Sequence, residues 1–249
     1  MSFFRSLFGK KEEAIAPADL SVLRCDVHSH FIPGIDDGAQ TLEQSMELLN
    51  AMRELGYRKV VTTPHSMADG YKNTPDIILG GLAKVRAEIA RVGLDIEIDA
   101  AAEYYLDHEL ERKVTDKEVL TFGDNLLLFE LPFLSEPQVL LSVIFLMQTA
   151  GYKPVLAHPE RYSFWYNDFS KYERLKERGV LFQLNMIALS GAYGPQAKQI
   201  AEKLIDVGAY ELIGSDCHSM GHVEAMKHTL TRPYLHKLIA SGKMLNAGL

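Results

Sequence analysis

Imidazoles and carboxylates recur along this chain as short clusters. They are Asp26-Val27-His28-Ser29-His30, Asp36-Asp37-Gly38, Thr63-Pro64-His65, Glu103, Glu130, His158-Pro159-Glu160-Arg161 and Ser215-Asp216-Cys217-His218. These are the side chains that divalent transition metals favour. A set drawn from so many segments can hold more than one ion, which points to a multinuclear metal hydrolase. His28 and His30 are two apart on an expected strand, so they share a side and can chelate one ion. Asp26 has the same parity and is expected as a ligand or as a group that orients one. Asp216 and His218 repeat the spacing, with Cys217 between them turned into packing.

Glu103 follows Ala100-Ala101-Ala102, and Glu130 follows Leu126-Leu127-Leu128-Phe129. A carboxylate closing an apolar run is costly to desolvate without a cation. A carboxylate can also bridge two metals, and Glu103 is the preferred bridge. Arg161, three residues after His158, can hold phosphate oxygens in a bidentate way. Its bland alternative is a salt bridge to Glu160 or another acid. A single histidine at a strand end is usually just hydrogen-bonded. It is the joint occurrence of HxH, DxH, TPH and strand-ending acids that argues for metal chemistry.

Other chemistries fail on the residues. Cysteine phosphatases need an Arg six positions after the Cys, but Cys25 is followed there by Phe31 and Cys217 by Val223. No GxxxxGK[ST] and no GxSxG occurs. A structural zinc site would use few ligands, often cysteines.

The elements that must position these groups alternate. Strands are expected at Leu23–His28, Lys59–Thr63, Asp95–Ala101, Leu126–Leu131, Pro154–Ala157, Leu181–Asn185 and Glu211–Gly214. Helices are expected at Leu42–Leu55, Pro75–Val92, Pro137–Ala150, Tyr172–Arg178 and Pro195–Val207, with a further helical region from about Val223. Such alternation predicts βα units and a parallel sheet. His30, His65, Glu103, Glu130, His158 and His218 all fall at or just past strand C-termini. That is where the site of an α/β barrel is built, whereas an open sheet would gather its residues at one switch point.

The chain has 249 residues, of which 47% are hydrophobic and 24% charged, enough for one domain with a substantial core. A net charge of -7 argues against a nucleic-acid partner. It allows an anionic substrate, because bound ions reverse the local sign. Two cysteines give no disulfide framework and fit a reducing, cytoplasmic compartment. No apolar run is long enough to span a membrane. In residues 1–16, Phe3, Phe4, Leu7 and Phe8 beside Arg5, Lys10 and Lys11 could form a face for a membrane surface or a partner; the alternative is a frayed terminus.

At DVHSHFIPGIDDGAQT, VVTTPH, AAEYY, LLLFELPF, VLAHPERY and IGSDCH the chain resembles the PHP (polymerase and histidinol phosphatase) superfamily. Within it, the chain looks like the bacterial PHP-type tyrosine phosphatases of capsule and exopolysaccharide operons. The match runs from about residue 23 to 240, leaving 1–20 as an N-terminal extension and 21–249 as one barrel domain. The resemblance implies a single distorted (β/α)7 barrel and three divalent ions, manganese foremost, with iron or zinc as other occupants. It implies His28, His30, Glu103 and Asp216 around the first ion, and Glu103, Glu130 and His158 around the second. Asp37, His65 and His218 would surround the third.

Arg161 would bind the phosphoryl group, and hydroxide generated at the metals would attack phosphorus in line with the tyrosyl oxygen. The implied substrate is the tyrosine-rich tail of a membrane-associated kinase, which places the protein at the inner face of the membrane; an oligomer is compatible with this. Family members often carry an Arg soon after the final SDxH. Here Ser219-Met220-Gly221-His222-Val223 follows, with no Arg before Arg232, so His222 is the substitute donor or general acid. Phe31, Phe133, Tyr162, Trp165 and Tyr166 are expected as an aromatic rim for the substrate ring. The rival expectations are a PHP phosphoesterase for histidinol phosphate or a nucleotide, a non-catalytic kinase-docking protein, and an amidohydrolase. The last commonly needs a bridging lysine for which this chain supplies no context.

Overall fold

The computed structural model describes residues 15–249. The apolar and basic residues of the expected surface-binding face, up to Lys11, lie outside the described residues. Among the described residues, nine short strands come from seven stretches of chain. They are β1 (Cys25–Asp26), β2 (Lys59–Thr62) with β3 (His65–Ser66), β4 (Glu97–Ala100) with β5 (Glu103–Tyr105), β6 (Leu126–Glu130), β7 (Lys153–Ala157), β8 (Leu181–Asn185) and β9 (Leu212–Gly214). Every strand pairing is parallel, in the orders β1-β2-β4 and β3-β5-β6-β7-β8-β9. The two sheets are continuous through the kinks in the second and third stretches, where Ala101 donates to the Thr62 carbonyl and Glu103 to that of Pro64. A parallel bridge between Ser29 and Cys217 joins the last stretch to the first. The result is an α/β barrel of seven distorted staves.

Helices α1 (Leu42–Glu54), α2 (Pro75–Val92), α3 (Leu110–Thr115), α4 (Leu140–Thr149), α5 (Ser170–Glu177), α6 (Pro195–Asp206), α7 (Met220–Thr229) and α8 (Pro233–Ala240) complete the chain. Thr41 caps α1 by accepting from Gln44 N–H, and Thr74 caps α2 by accepting from Ile77 N–H. Pro137 opens a turn rather than a helix, so α4 begins at Leu140. The first strand is shorter than expected, because Arg24 has φ 61 and breaks the ladder before Cys25. The packed domain also begins earlier than residue 21. Leu20 is buried, and Ala18 donates to the Leu230 carbonyl.

Alternation sorts the core into two. Leu127 and Phe129 of β6 join the large cluster beneath the helices, whereas Leu126 and Leu128 join Cys25, Val27, Val61, Ala101, Val155, Ala157 and Leu212 in a small inner one. Glu130 has the parity of Leu126 and Leu128, and Glu103 that of Ala101. Both carboxylates therefore stand directly above the apolar plug, at the C-terminal mouth.

Candidate metal centre

A cavity of about 630 Å³ opens at that mouth. Asp37, His65, Glu103, Glu130, His158, Arg161, Asp216, His218 and His222 line it, together with Met67, Tyr71, Tyr105, Phe133 and Tyr193. Three groups of donors converge there, each with its ligand atoms within 4.8 Å of one another. They are His28, His30, Glu103 and Asp216; His65, Glu103 and Glu130; and His30, Asp37, His65 and His218. His158 belongs to none of the three, but its Nε2 lies 3.0 Å from Glu103 Oε1 and 3.8 Å from Glu130 Oε2. Glu103 sits at the centre, with His28, His30, His65 and His158 all within 3.6 Å of its carboxylate.

Three of the rings are aimed from behind. His28 Nδ1 lies 2.7 Å from Gln183 Oε1, His30 Nδ1 2.8 Å from Asp36 Oδ2, and His218 Nδ1 2.8 Å from the Asp216 carbonyl. This leaves the Nε2 atoms of His28 and His30 pointing at the centre. Two glycines make the room. A Cβ on Gly38 would lie 2.1 Å from the His30 carbonyl oxygen, and one on Gly214 would lie 2.6 Å from His28 Cβ. Gly38 N–H in turn donates to Asp36 Oδ1, fixing the carboxylate that holds His30. Asp216 and His158 adopt left-handed backbone, φ 49 and 34, a conformation that costs non-glycine residues about 1–3 kcal/mol and clusters at functional sites.

The donor set fits divalent cations. His28 Nε2, His30 Nε2, His65 Nδ1 and Glu103 Oε2 are buried without hydrogen-bond partners, and the three nitrogens surround that oxygen at 3.1, 3.6 and 3.2 Å. Orphaned polar atoms of this kind are rare unless something binds them. The charges agree. Burial opposes a proton on His28, but Glu103 and Asp216 outweigh it and push its pKa up to about 10. The same contest, with Glu103 and Glu130 on the other side, pushes His65 up to about 10. Burial likewise resists ionisation of Glu103, yet His28 and His65 hold it well below the ordinary carboxylate range. Protons on imidazoles thus balance the carboxylates, and a cation would take their place.

Arg161 is the one Arg or Lys among the described residues that line the cavity. Its Nη1 donates to Asp216 Oδ2 at 2.9 Å, not to Glu160, which is buried and accepts from Asn185 N–H and the Tyr210 hydroxyl. Asp216 divides its oxygens. Oδ2 takes Arg161 and Asn185, while Oδ1 faces His28 and His30 at 3.4 and 3.5 Å. His222 also lines the cavity, and burial lowers its pKa.

Three expectations need correction. Of the two roles expected for Asp26, that of a ligand fails. Its carboxylate accepts Ser215 N–H and Oγ–H, both at 2.8 Å. The strand geometry that gave it the parity of His28 and His30 ends at Asp26 itself. Phe31 and Tyr162 do not form the rim. Both are fully buried, Phe31 donating its N–H to Thr62 Oγ1 and Tyr162 bonding the Ala157 carbonyl and Leu131 N–H. Trp165 is likewise buried, with its indole N–H on Glu136, and Tyr166 does not line the cavity. The aromatic lining is Phe133, Tyr71, Tyr105 and Tyr193. Tyr105 could have been found from its two-residue spacing to Glu103. Tyr193, in a glycine-flanked turn, carried no signal.

Residues 24–240 match the family described as capsular polysaccharide synthesis, CpsB/CapC, and the chain belongs to that family. It is 28% identical over 196 residues to tyrosine-protein phosphatase YwqE of Bacillus subtilis (strain 168), covering 78% of this chain and 77% of the relative. It is 26% identical over 225 residues to the Staphylococcus aureus protein named putative tyrosine-protein phosphatase CapC, covering 89% and 84%. Among solved structures, a chain from the work on YwqE and Streptococcus pneumoniae CpsB, described there as metal-dependent tyrosine phosphatases, superposes with a TM-score of 0.79. That match has 25% identity and covers 90% of this chain and 94% of the other.

Proposed function

We propose that this CpsB/CapC family member is a metal-dependent protein-tyrosine phosphatase. The observation that supports it most is the set of orphaned imidazole and carboxylate atoms converging beside a single arginine at the barrel mouth. We assign three divalent ions, manganese first and iron or zinc as other occupants. His28, His30, Glu103 and Asp216 would hold one, Glu103, Glu130 and His158 a second, and Asp37, His65 and His218 a third, with Glu103 shared. Ions bound there would lower the pKa of water to about 7 and neutralise phosphate charge.

The chain's own residues do the rest. Arg161 keeps Nη1 on Asp216 and offers its remaining donors to the equatorial phosphoryl oxygens, where charge must be neutralised. Phe133, 41% exposed at the rim, offers a face to the substrate ring. His222 supplies a neutral hydrogen-bonding ring beside the leaving oxygen. Because a phenol ionises at about pH 10, the tyrosyl oxygen leaves with little help from an acid. The substrate is proposed to be the phosphotyrosine tail of a membrane-associated bacterial tyrosine kinase in capsule or exopolysaccharide synthesis, acting at the cytoplasmic face. No described helix is long and apolar enough to cross a membrane.

The test is hydrolysis of a phosphotyrosyl peptide by the purified protein with manganese, after chelation, and as His28→Ala. Turnover that needs the ion and is lost in His28→Ala is expected. Absence of turnover while metal stays bound overturns the proposal and moves it to a small-molecule phosphoester or to kinase docking without catalysis.

A further inference from the structure

With one guanidinium serving the phosphoryl site, its orientation matters more than it would in a pair. Arg161 is held between two rings. Its Cζ lies 4.3 Å from the Tyr193 ring centroid and 4.9 Å from that of Phe133. The two walls differ in how they are fixed. Tyr193 is anchored, because its hydroxyl accepts from Asn185 Nδ2 at 2.9 Å. The same nitrogen donates to Asp216 Oδ2 at 2.7 Å, and that oxygen also receives Arg161. Asn185 is itself pinned, since its Oδ1 accepts Ile187 N–H and its own N–H donates to the buried Glu160. A closed ring of contacts thus runs Arg161, Asp216, Asn185, Tyr193 and back to Arg161. Phe133 makes no comparable bond and is 41% exposed.

We propose that Tyr193 is a positioning residue for phosphate recognition. Its ring holds the Arg161 guanidinium in the plane that presents two donors to one phosphoryl group. The proposal rests on the phosphatase reading above. A planar cation stacked on an aromatic face loses less freedom when it binds a bidentate anion than one swinging on its stem. Tyr193 needs no contact with substrate to do this.

The test uses the metal-loaded full chain and inorganic phosphate as probe. Binding is followed by calorimetry, with metal content and phosphotyrosyl-peptide kinetics measured in parallel. Tyr193→Leu should weaken phosphate binding about tenfold, within the range of a partly desolvated cation–π contact. KM should rise in step, kcat should change less, and metal content should stay unchanged. Tyr193→Phe keeps the ring and should restore most of the binding. In an Arg161→Lys background, where no planar group remains to be held, Tyr193→Leu should have little further effect.

An unchanged phosphate affinity in Tyr193→Leu overturns the proposal. Losses that add to those of Arg161→Lys overturn it too. Loss of metal together with phosphate would place the role of Tyr193 in the Asn185–Asp216 bonds instead, and a Tyr193→Phe defect as large as that of Tyr193→Leu would point the same way. If the unaltered protein binds phosphate but turns over no phosphotyrosyl peptide, the tyrosine-phosphatase reading fails while the Tyr193–Arg161 coupling can still be read.

Discussion

Two junctions of this barrel join neighbouring staves by different means. Between β7 and β8 a regular ladder sets Val155, Leu156 and Ala157 opposite Leu181, Phe182 and Gln183. Between β9 and β1 there is a single bridge, Ser29 with Cys217, with backbone bonds from Asp216 N–H to the His28 carbonyl and from His30 N–H to the Cys217 carbonyl, and side chains add the rest. Asp26 grips Ser215, and Asn246 Nδ2 donates to the carbonyls of Cys25 and Ile213 while its Oδ1 accepts Ile213 N–H. The metal-competent groups His28 and His30 leave one side of this seam, and Asp216 and His218 leave the other. The ladder contributes packing and the seam contributes alignment. The difference should show when each is broken.

The largest loss of stability is expected from the apolar plug that the ladder supports. Leu128 is fully buried in the inner cluster, and Leu128→Ala should cost about 2–5 kcal/mol in denaturant unfolding. Metal stoichiometry should be retained, because the plug lies below the centre and Leu128 makes none of the seam bonds. A variant that folds but binds fewer ions would show that the plug also sets the site. Asn246→Ala should cost less, on the order of 1–3 kcal/mol, for the backbone groups of Cys25 and Ile213 that it leaves unpaired. Here metal affinity should fall as well, by roughly the 10–100-fold typical of lost supporting contacts. Calorimetric titration with manganese compares the two directly. Equal metal affinity in both variants would remove the distinction between ladder and seam.

The same contrast explains what the sequence disclosed. Staves bearing apolar runs, such as Leu126–Glu130 and Leu181–Asn185, were legible from local pattern, as was α2 over Pro75–Val92. Their place at strand ends then carried Glu103 and Glu130 to the mouth. The seam was not legible, because its bonds join residues with no local signature. Asp26 and Ser215 are 189 positions apart, and Asn246 lies 221 from Cys25. The parity rule failed at Asp26 for the same reason: the strand ends there, and the next residues follow a course set by the opposite stave. Phe31 and Tyr162 were misplaced because an aromatic next to a motif is as able to buttress a loop from within as to face solvent. Asp36, adjacent to Asp37, shows the limit at its finest, since which of two neighbouring carboxylates supports His30 depends on the Gly38 turn.

The smallest expected effect is a slope in the seam's response to pH. Burial dominates at Asp26 and raises its pKa to about 7, against hydrogen bonds from Ser215 that favour the carboxylate. An acid whose pKa is higher folded than unfolded binds its proton more tightly in the native state. Its contribution to stability is therefore fully present below the unfolded value, about 3.9, and is lost as pH rises towards 7. This is opposite to the usual paired carboxylate. In metal-free protein, the unaltered chain should lose stability relative to Asp26→Asn between about pH 4 and 7, with no further change above about pH 8. The difference between two variants in the same buffers cancels the titration of groups not coupled to Asp26. A relative gain over that window would mean that the Ser215 bonds outweigh burial and that the seam is held by a carboxylate rather than by a shared proton.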